Sequence, residues 1–183
     1  MKAPRRSQSV ALCGVLGALA VALMLLGAVI PLAMFIAPAV DGLLVLVACE
    51  ECGRTMAWTM YAAVSILSVL FVPDKEVALI FVFLLGYYPL LKDQLDRIPR
   101  RALRVLLKNL LYYAAIFTMY GLLLVLFPAD GFSQEAAAAG LALAAATVVM
   151  GNIAFLLFDK TLANLLRLYR LKWQPRLRRM LGR

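Results

Sequence analysis

The sequence predicts an all-α membrane protein, a bundle of six transmembrane helices with both ends in the cytoplasm. Three observations point there. Hydrophobic residues fill 64% of the 183 positions and the mean hydropathy is +0.90, whereas soluble domains are about 45–50% apolar. The apolar residues gather into six runs, and roughly 20 such residues cross a hydrocarbon core of about 30 Å. Charged residues fall mainly between and beyond those runs.

The first run, Val10 to Ile30, follows Lys2, Arg5 and Arg6. It is longer than the roughly 7–15-residue core of a signal peptide, and Ala28-Val29-Ile30 is a poor cleavage site, so it is expected to remain as helix one. Pro31 and Pro38 bracket a turn, and Pro38 suits the first position of a second helix, from about Ala39 to Cys49. Helix three is expected over Met56 to Val72, helix four over Val77 to Leu91 and helix five over Leu103 to Phe127. The alanine run 136–139 opens helix six, Ala136 to Phe158. Residues 1–160 then form one membrane domain, with no length left for a separate soluble one. Residues 161–183 read as a basic amphipathic cytoplasmic tail, with leucines and arginines at helical spacing and Trp173 as an interfacial anchor. Each basic residue there is worth about 1 kcal/mol near anionic lipid.

Orientation follows from the lysines and arginines, which favour the cytoplasmic side. With the N-terminus inside, every one of the 19 except Lys75 falls on an inner segment. The net charge of +9 therefore fits membrane topology and argues against a nucleic-acid partner. Trp58, Tyr87 and Tyr88 fall near the inner boundary, as an aromatic belt would.

The chain has no histidine, which removes Ser-His-Asp and Cys-His catalysis and any zincin motif. Cys49-Glu-Glu-Cys52 has C-x-x-C spacing, but neither a second pair nor a histidine completes a zinc site. Cys49 and Cys52 are expected on the cytoplasmic side as reduced thiols, and with Cys13 the chain holds an odd number of cysteines. No Walker loop is present. The expectation is a chain without catalytic residues, metal or cofactor.

Helix four has fifteen apolar-run residues between Glu76 and Lys92, only about 22 Å at 1.5 Å per residue. To cross, it must take in Asp74, Lys75 and Glu76, with Pro73 opening it. Helix two is short in the same way and holds Asp41 within its first outer turns. A carboxylate at mid-bilayer costs at least about 2.5–3.5 kcal/mol, so such residues face a bundle interior or a wet cavity. Asp41, Asp74, Lys75 and Glu76 fall at similar outer depth and are the candidate lining of an outward-facing polar pocket. The competing reading makes Asp41, Asp74 and Glu76 helix caps near positive helix ends, with Lys75 in water.

Asn109 and Asn152 fall at matching inner depth on helices five and six, where a mutual hydrogen bond is expected. Tyr112, Tyr113 and Tyr120 suit either a pocket wall or packing. Gly14, Ala18 and Ala22 form a small-residue seam on helix one that lets another helix approach closely. Ala136, Gly140, Ala144, Thr147 and Gly151 trace a second seam on helix six.

In size, span number, orientation and the Ala18/Ala22 seam, the chain resembles the substrate-binding S components of bacterial energy-coupling factor transporters. The stretch Pro73 to Lys92, PDKEVALIFVFLLGYYPLLK, is also similar to one in bacterial membrane proteins of this general type. That family pairs an alanine-x-x-x-alanine seam on its first helix with a transmembrane coupling subunit. The resemblance implies a vitamin-like solute held near the outer face, partner ATPases that supply the energy, and residence in the bacterial cytoplasmic membrane. The metal-binding branch of that family uses an N-terminal histidine that this chain lacks. Two other classes stay open. One is a non-transporting membrane scaffold acting through helix contacts. The other is an intramembrane enzyme, for which Glu50, Glu51, Asp93, Asp96 and Asp159 are the available inner carboxylates.

Overall fold

Apolar runs of this length leave the backbone one economical solution in lipid, the helix, because it satisfies its own N–H and C=O groups. The computed structural model describes residues 6–30, 33–126, 132–169 and 171, with only the backbone for 6, 34, 124, 126 and 132–145. Among the described residues every regular element is helical: α1 (Arg6–Val29), α2 (Ala33–Cys52), α3 (Arg54–Phe71), α4 (Lys75–Ile80), a π-helical turn (Phe81–Leu85), α5 (Tyr88–Asp96), α6 (Arg101–Leu126) and α7 (Phe132–Leu168).

Among the described residues four helices are long and apolar enough to cross a membrane, over Ser7–Val29, Arg54–Phe71, Arg101–Leu123 and Ala146–Leu168. Helix α2 has 20 residues, about 30 Å at 1.5 Å each, but carries Asp41, Glu50 and Glu51. Large apolar side chains face outward along the four apolar helices, among them Val15, Leu70, Phe117 and Met150. Such a surface belongs against hydrocarbon rather than water.

Helix α2 and the α4–π–α5 segment form the middle of the bundle. One core cluster joins α1, α2 and α3 to them through Ala20, Met24, Val45, Val64, Val77 and Phe81. A second joins them to α6 and α7 through Leu79, Leu84, Tyr88, Tyr112, Met119 and Phe155.

Three sequence expectations change. Pro38 does not open α2; it lies inside a helix that begins at Ala33. A proline there removes one backbone bond, a loss that packed neighbours make tolerable in a membrane helix. The fourth helix is broken in three, α4, the π turn and α5, with Pro89 in the first turn of α5. Helix α7 continues without a break past residue 160 to Leu168, so the start of the basic segment extends the last helix. Most of the tail, including Trp173, lies outside the described residues.

The π turn is held from outside. Tyr61 of α3 donates its hydroxyl to the Val82 carbonyl at 2.7 Å, so one carbonyl disturbed by the change of helix pitch has a partner. Between α2 and α3 a single residue, Gly53, turns the chain with φ of 90°, a conformation suited to glycine.

Candidate functional site

Two groups of polar side chains lie inside the bundle, and they differ in kind. The first ties α5, α6 and α7 together. Lys108 Nζ is 2.8 Å from Asp96 and 2.8 Å from Asp159. Lys92 pairs with Asp159 and reaches Asp96 at 3.3 Å. Tyr88 donates its hydroxyl to the same Asp159 at 2.6 Å. Both lysine side chains are at most 6% exposed. Two cations and two anions cancel, and each charged group has partners of opposite sign, the condition under which buried charge is tolerated. Asp96 closes α5 beyond the apolar run. Burial alone would raise its carboxyl, but the Lys108 hydrogen bond and the Lys92 charge outweigh it and hold the group below its usual range.

Two further bonds fasten this end of the bundle. Cys52 Sγ donates to the Ser9 carbonyl at 3.5 Å, and Tyr169 donates to Glu51 at 3.0 Å. Helices α1, α2 and α7 are thereby joined at the end where α5, α6 and α7 share their ion pairs.

The second group is Asp41. It is 0% exposed, and neither carboxylate oxygen has a hydrogen-bond partner among the described residues. Eight residues separate it from the start of α2, a depth of about 12 Å. It shares a helix face with Ala37, Val45 and Ala48, all buried, and so turns toward the core cluster of α1, α3 and α4. Ser68 of α3, in register with Val64 and Val72 of that cluster, is likewise fully buried with an unpartnered hydroxyl.

The backbone around Asp41 is irregular on two sides. Pro38, one turn before it on the same face, has no N–H to return to the carbonyl of residue 34. Across the interface, a Cβ on Gly42 would stand 2.6 Å from the Leu85 carbonyl oxygen and 3.1 Å from Phe158 Cζ. Leu85 ends the π turn, and the residue four further on is Pro89, so that carbonyl also lacks a helical donor. Only glycine at position 42 permits this approach.

The other candidates sit at the far end from the ion pairs, and each has a local task. Asp74 caps α4, accepting from the N–H groups of Glu76 and Val77 at 3.0 and 3.4 Å. Lys75 donates to the carbonyls of Val69 and Val72 at 3.0 and 2.9 Å, closing the C-terminal end of α3. Glu76 accepts from Tyr120 of α6 at 2.9 Å. Asp41 is thus the member of the quartet that is buried without a partner among the described residues.

Gly14, Ala18 and Ala22 lie on the exposed side of α1. With Gly17, Met56, Thr59, Ala63 and neighbours, Gly14 and Ala18 line an open apolar groove of about 430 Å³ between α1 and α3. On α7, Ala136, Gly140 and Ala144 lie outside the residues whose side chains are described, while Gly151 meets the hydroxyl of Tyr112. Tyr112 donates to the Val148 carbonyl at 3.0 Å. The expected Asn109–Asn152 bond is not made; Asn109 Oδ1 is buried without a partner among the described residues.

The ion-pair cluster was not anticipated. Its signal was available: Lys108 and Asp159 interrupt apolar sequence inside helices, where a charge demands a partner. The carboxylates Asp96 and Asp159 do converge, as an inner-face enzyme would require, but both are held by Lys92 and Lys108. Among the described residues no group of three metal-ligating side chains comes together.

Compared with protein-family models, curated proteins and solved structures, the chain matches none of them. Fold and site define the class alone: among the described residues, an all-helical protein with four membrane-length apolar helices and a buried carboxylate that has no hydrogen-bond partner.

Proposed function

We propose that this chain is the solute-binding subunit of a membrane uptake system, with six crossings, both ends inside, and a small-solute pocket in the outer half around Asp41. In this reading α2 and α4–π–α5 are the additional crossings. Short connections join α1 to α2 and α2 to α3, which supports reading α2 as the return crossing between them. The single observation that carries the function is Asp41, buried with both oxygens unpartnered among the described residues. An isolated buried carboxylate costs several kcal/mol in stability, and intramembrane ionisable groups mark substrate and ion paths.

The resemblance to S components supports the same reading and assigns energy supply to separate ATPases, with no catalytic residue in this chain. A coupling subunit would dock on the lipid-facing groove beside Gly14 and Ala18. The experiment is native mass spectrometry of the protein purified in mild detergent, followed by a thermal-shift screen of vitamins. A retained small molecule, or a vitamin that raises the unfolding temperature, is the expected result. Failure of both removes the uptake reading.

One observation favours a second reading, a membrane scaffold without a solute. Asp74, Lys75 and Glu76 are engaged in helix-end and interhelix bonds, while the groove between α1 and α3 faces outward. A scaffold would keep its function with Asp41→Asn and lose it with Ala18→Leu.

A further inference from the structure

We infer that Asp41 is the anionic centre of a binding site for a small hard monovalent cation, either an alkali ion or the ammonium group of an amine. The inference shares with the uptake reading the premise that Asp41 belongs to a ligand site, and it names the chemistry of what sits there.

The argument begins with the inventory of oxygen atoms. Asp41 offers two carboxylate oxygens with no donor among the described residues. Helical side chains lean toward the N-terminus of their helix, which brings the Asp41 carboxyl over the turn that contains Pro38. That proline leaves the carbonyl of residue 34 without its helical donor, and residues 34, 38 and 41 share one face by their spacing of four and three. On the other side, the Leu85 carbonyl reaches the backbone at Gly42, 2.6 Å from where a Cβ would stand, with Pro89 unable to donate back. Asp41 thus sits on a helix that carries a proline inside it, and the next residue, Gly42, packs against a second helix that is broken at the π turn before Pro89; in each, one carbonyl has lost its usual donor four residues on.

Every donor in this set is oxygen, with no sulfur or imidazole. Oxygen sets suit hard cations rather than zinc or copper. One carboxylate balances one positive charge, so a monovalent cation leaves the site neutral, whereas a divalent one would leave excess charge in the core. Broken helices whose unwound carbonyls meet an acidic side chain are also how membrane transporters hold sodium ions and protons at mid-depth. The lysines do not supply the counter-charge: Lys75 is bound to the end of α3, while Lys92 and Lys108 are paired with Asp96 and Asp159.

The test uses the full chain in detergent at constant ionic strength, with sodium chloride or methylammonium chloride replacing choline chloride. A saturable rise in unfolding temperature, about 5 °C at a hundredfold excess over the dissociation constant, is expected in wild type and absent in Asp41→Asn. A response to sodium alone identifies an alkali-ion site; a response to methylammonium alone identifies an amine site. No response to either cation, or an equal response in Asp41→Asn, overturns the inference. Should the variant fail to fold, saturable binding of radioactive sodium or methylammonium to wild type decides: its presence supports the site and its absence overturns it. A solute retained without any cation effect sinks this inference and spares the uptake reading. A cation effect with no solute retained does the reverse.

Discussion

The ion-pair cluster and Asp41 both place charge-bearing side chains inside an apolar bundle, yet they solve the problem in opposite ways. Lys92, Lys108, Asp96, Asp159 and Tyr88 satisfy one another across three helices. Asp41 satisfies nothing among the described residues. A closed polar network contributes to holding helices in register, because every partner it needs is already inside the protein. An open one, on the reading proposed above, keeps its hydrogen-bonding capacity for a ligand. On that reading the comparison separates a fastening from a proposed site, and it yields opposite signs on mutation.

The largest effect is expected at the fastening. Asp159→Ala leaves Lys92 and Lys108 sharing Asp96 alone, and Tyr88 without its acceptor. Removing one member of a buried ion network costs about 3–5 kcal/mol. Graded unfolding in mixed detergent and SDS micelles should show that loss. An unchanged unfolding curve would mean water already screens the cluster, and the contrast with Asp41 would dissolve.

Next in size is the crossing beside Asp41. Gly42→Ala places a methyl group 2.6 Å from the Leu85 carbonyl, and backbone cannot give way as the tip of a flexible side chain can. Overpacking of this kind costs about 1–3 kcal/mol. The same unfolding assay applies, and a neutral result would show that α2 and the π turn are not in register at this point.

How much of this could be read beforehand depends on whether a property is local. The expected helices three and five agree with α3 and α6 to within two residues, and the first with α1 to within four, because a run of apolar residues settles helix and length together. The broken fourth helix was hidden, since FVFLLGYYP is as apolar as an unbroken helix. What breaks it is Pro89 together with Tyr61 reaching over from α3. Pro38 misled by type: a proline suits a helix start, and only the packing of α2 against its neighbours lets it sit inside. Asp41 was legible as a lone acid in an apolar run. The Lys92–Asp159–Lys108 cluster was not, because its members are spread over three helices and its lysines read equally well as topology signals.

Asp41→Leu should reverse the sign seen at Asp159. Replacing a buried polar group that has no partner removes a desolvation penalty of about 1–3 kcal/mol, so the variant should unfold at higher SDS than wild type in choline buffer. The gain should coincide with loss of any cation response. A destabilised Asp41→Leu protein would mean that the carboxyl is making an interaction in the folded state, and that its role is the same as that of Asp159.

The smallest effect separates Asp41 from its neighbours in the original quartet. Lys75→Met removes two hydrogen bonds to the Val69 and Val72 carbonyls, worth about 0.5–1.5 kcal/mol each at most, and less where water replaces them. If Lys75 serves only the end of α3, the variant should lose that stability while binding of solute and cation stays as in wild type. A variant with unchanged stability but weakened binding would place Lys75 in the pocket beside Asp41. The α4 end of the bundle would then be continuous with the site, and the line between fastening and site would have to be redrawn through α4.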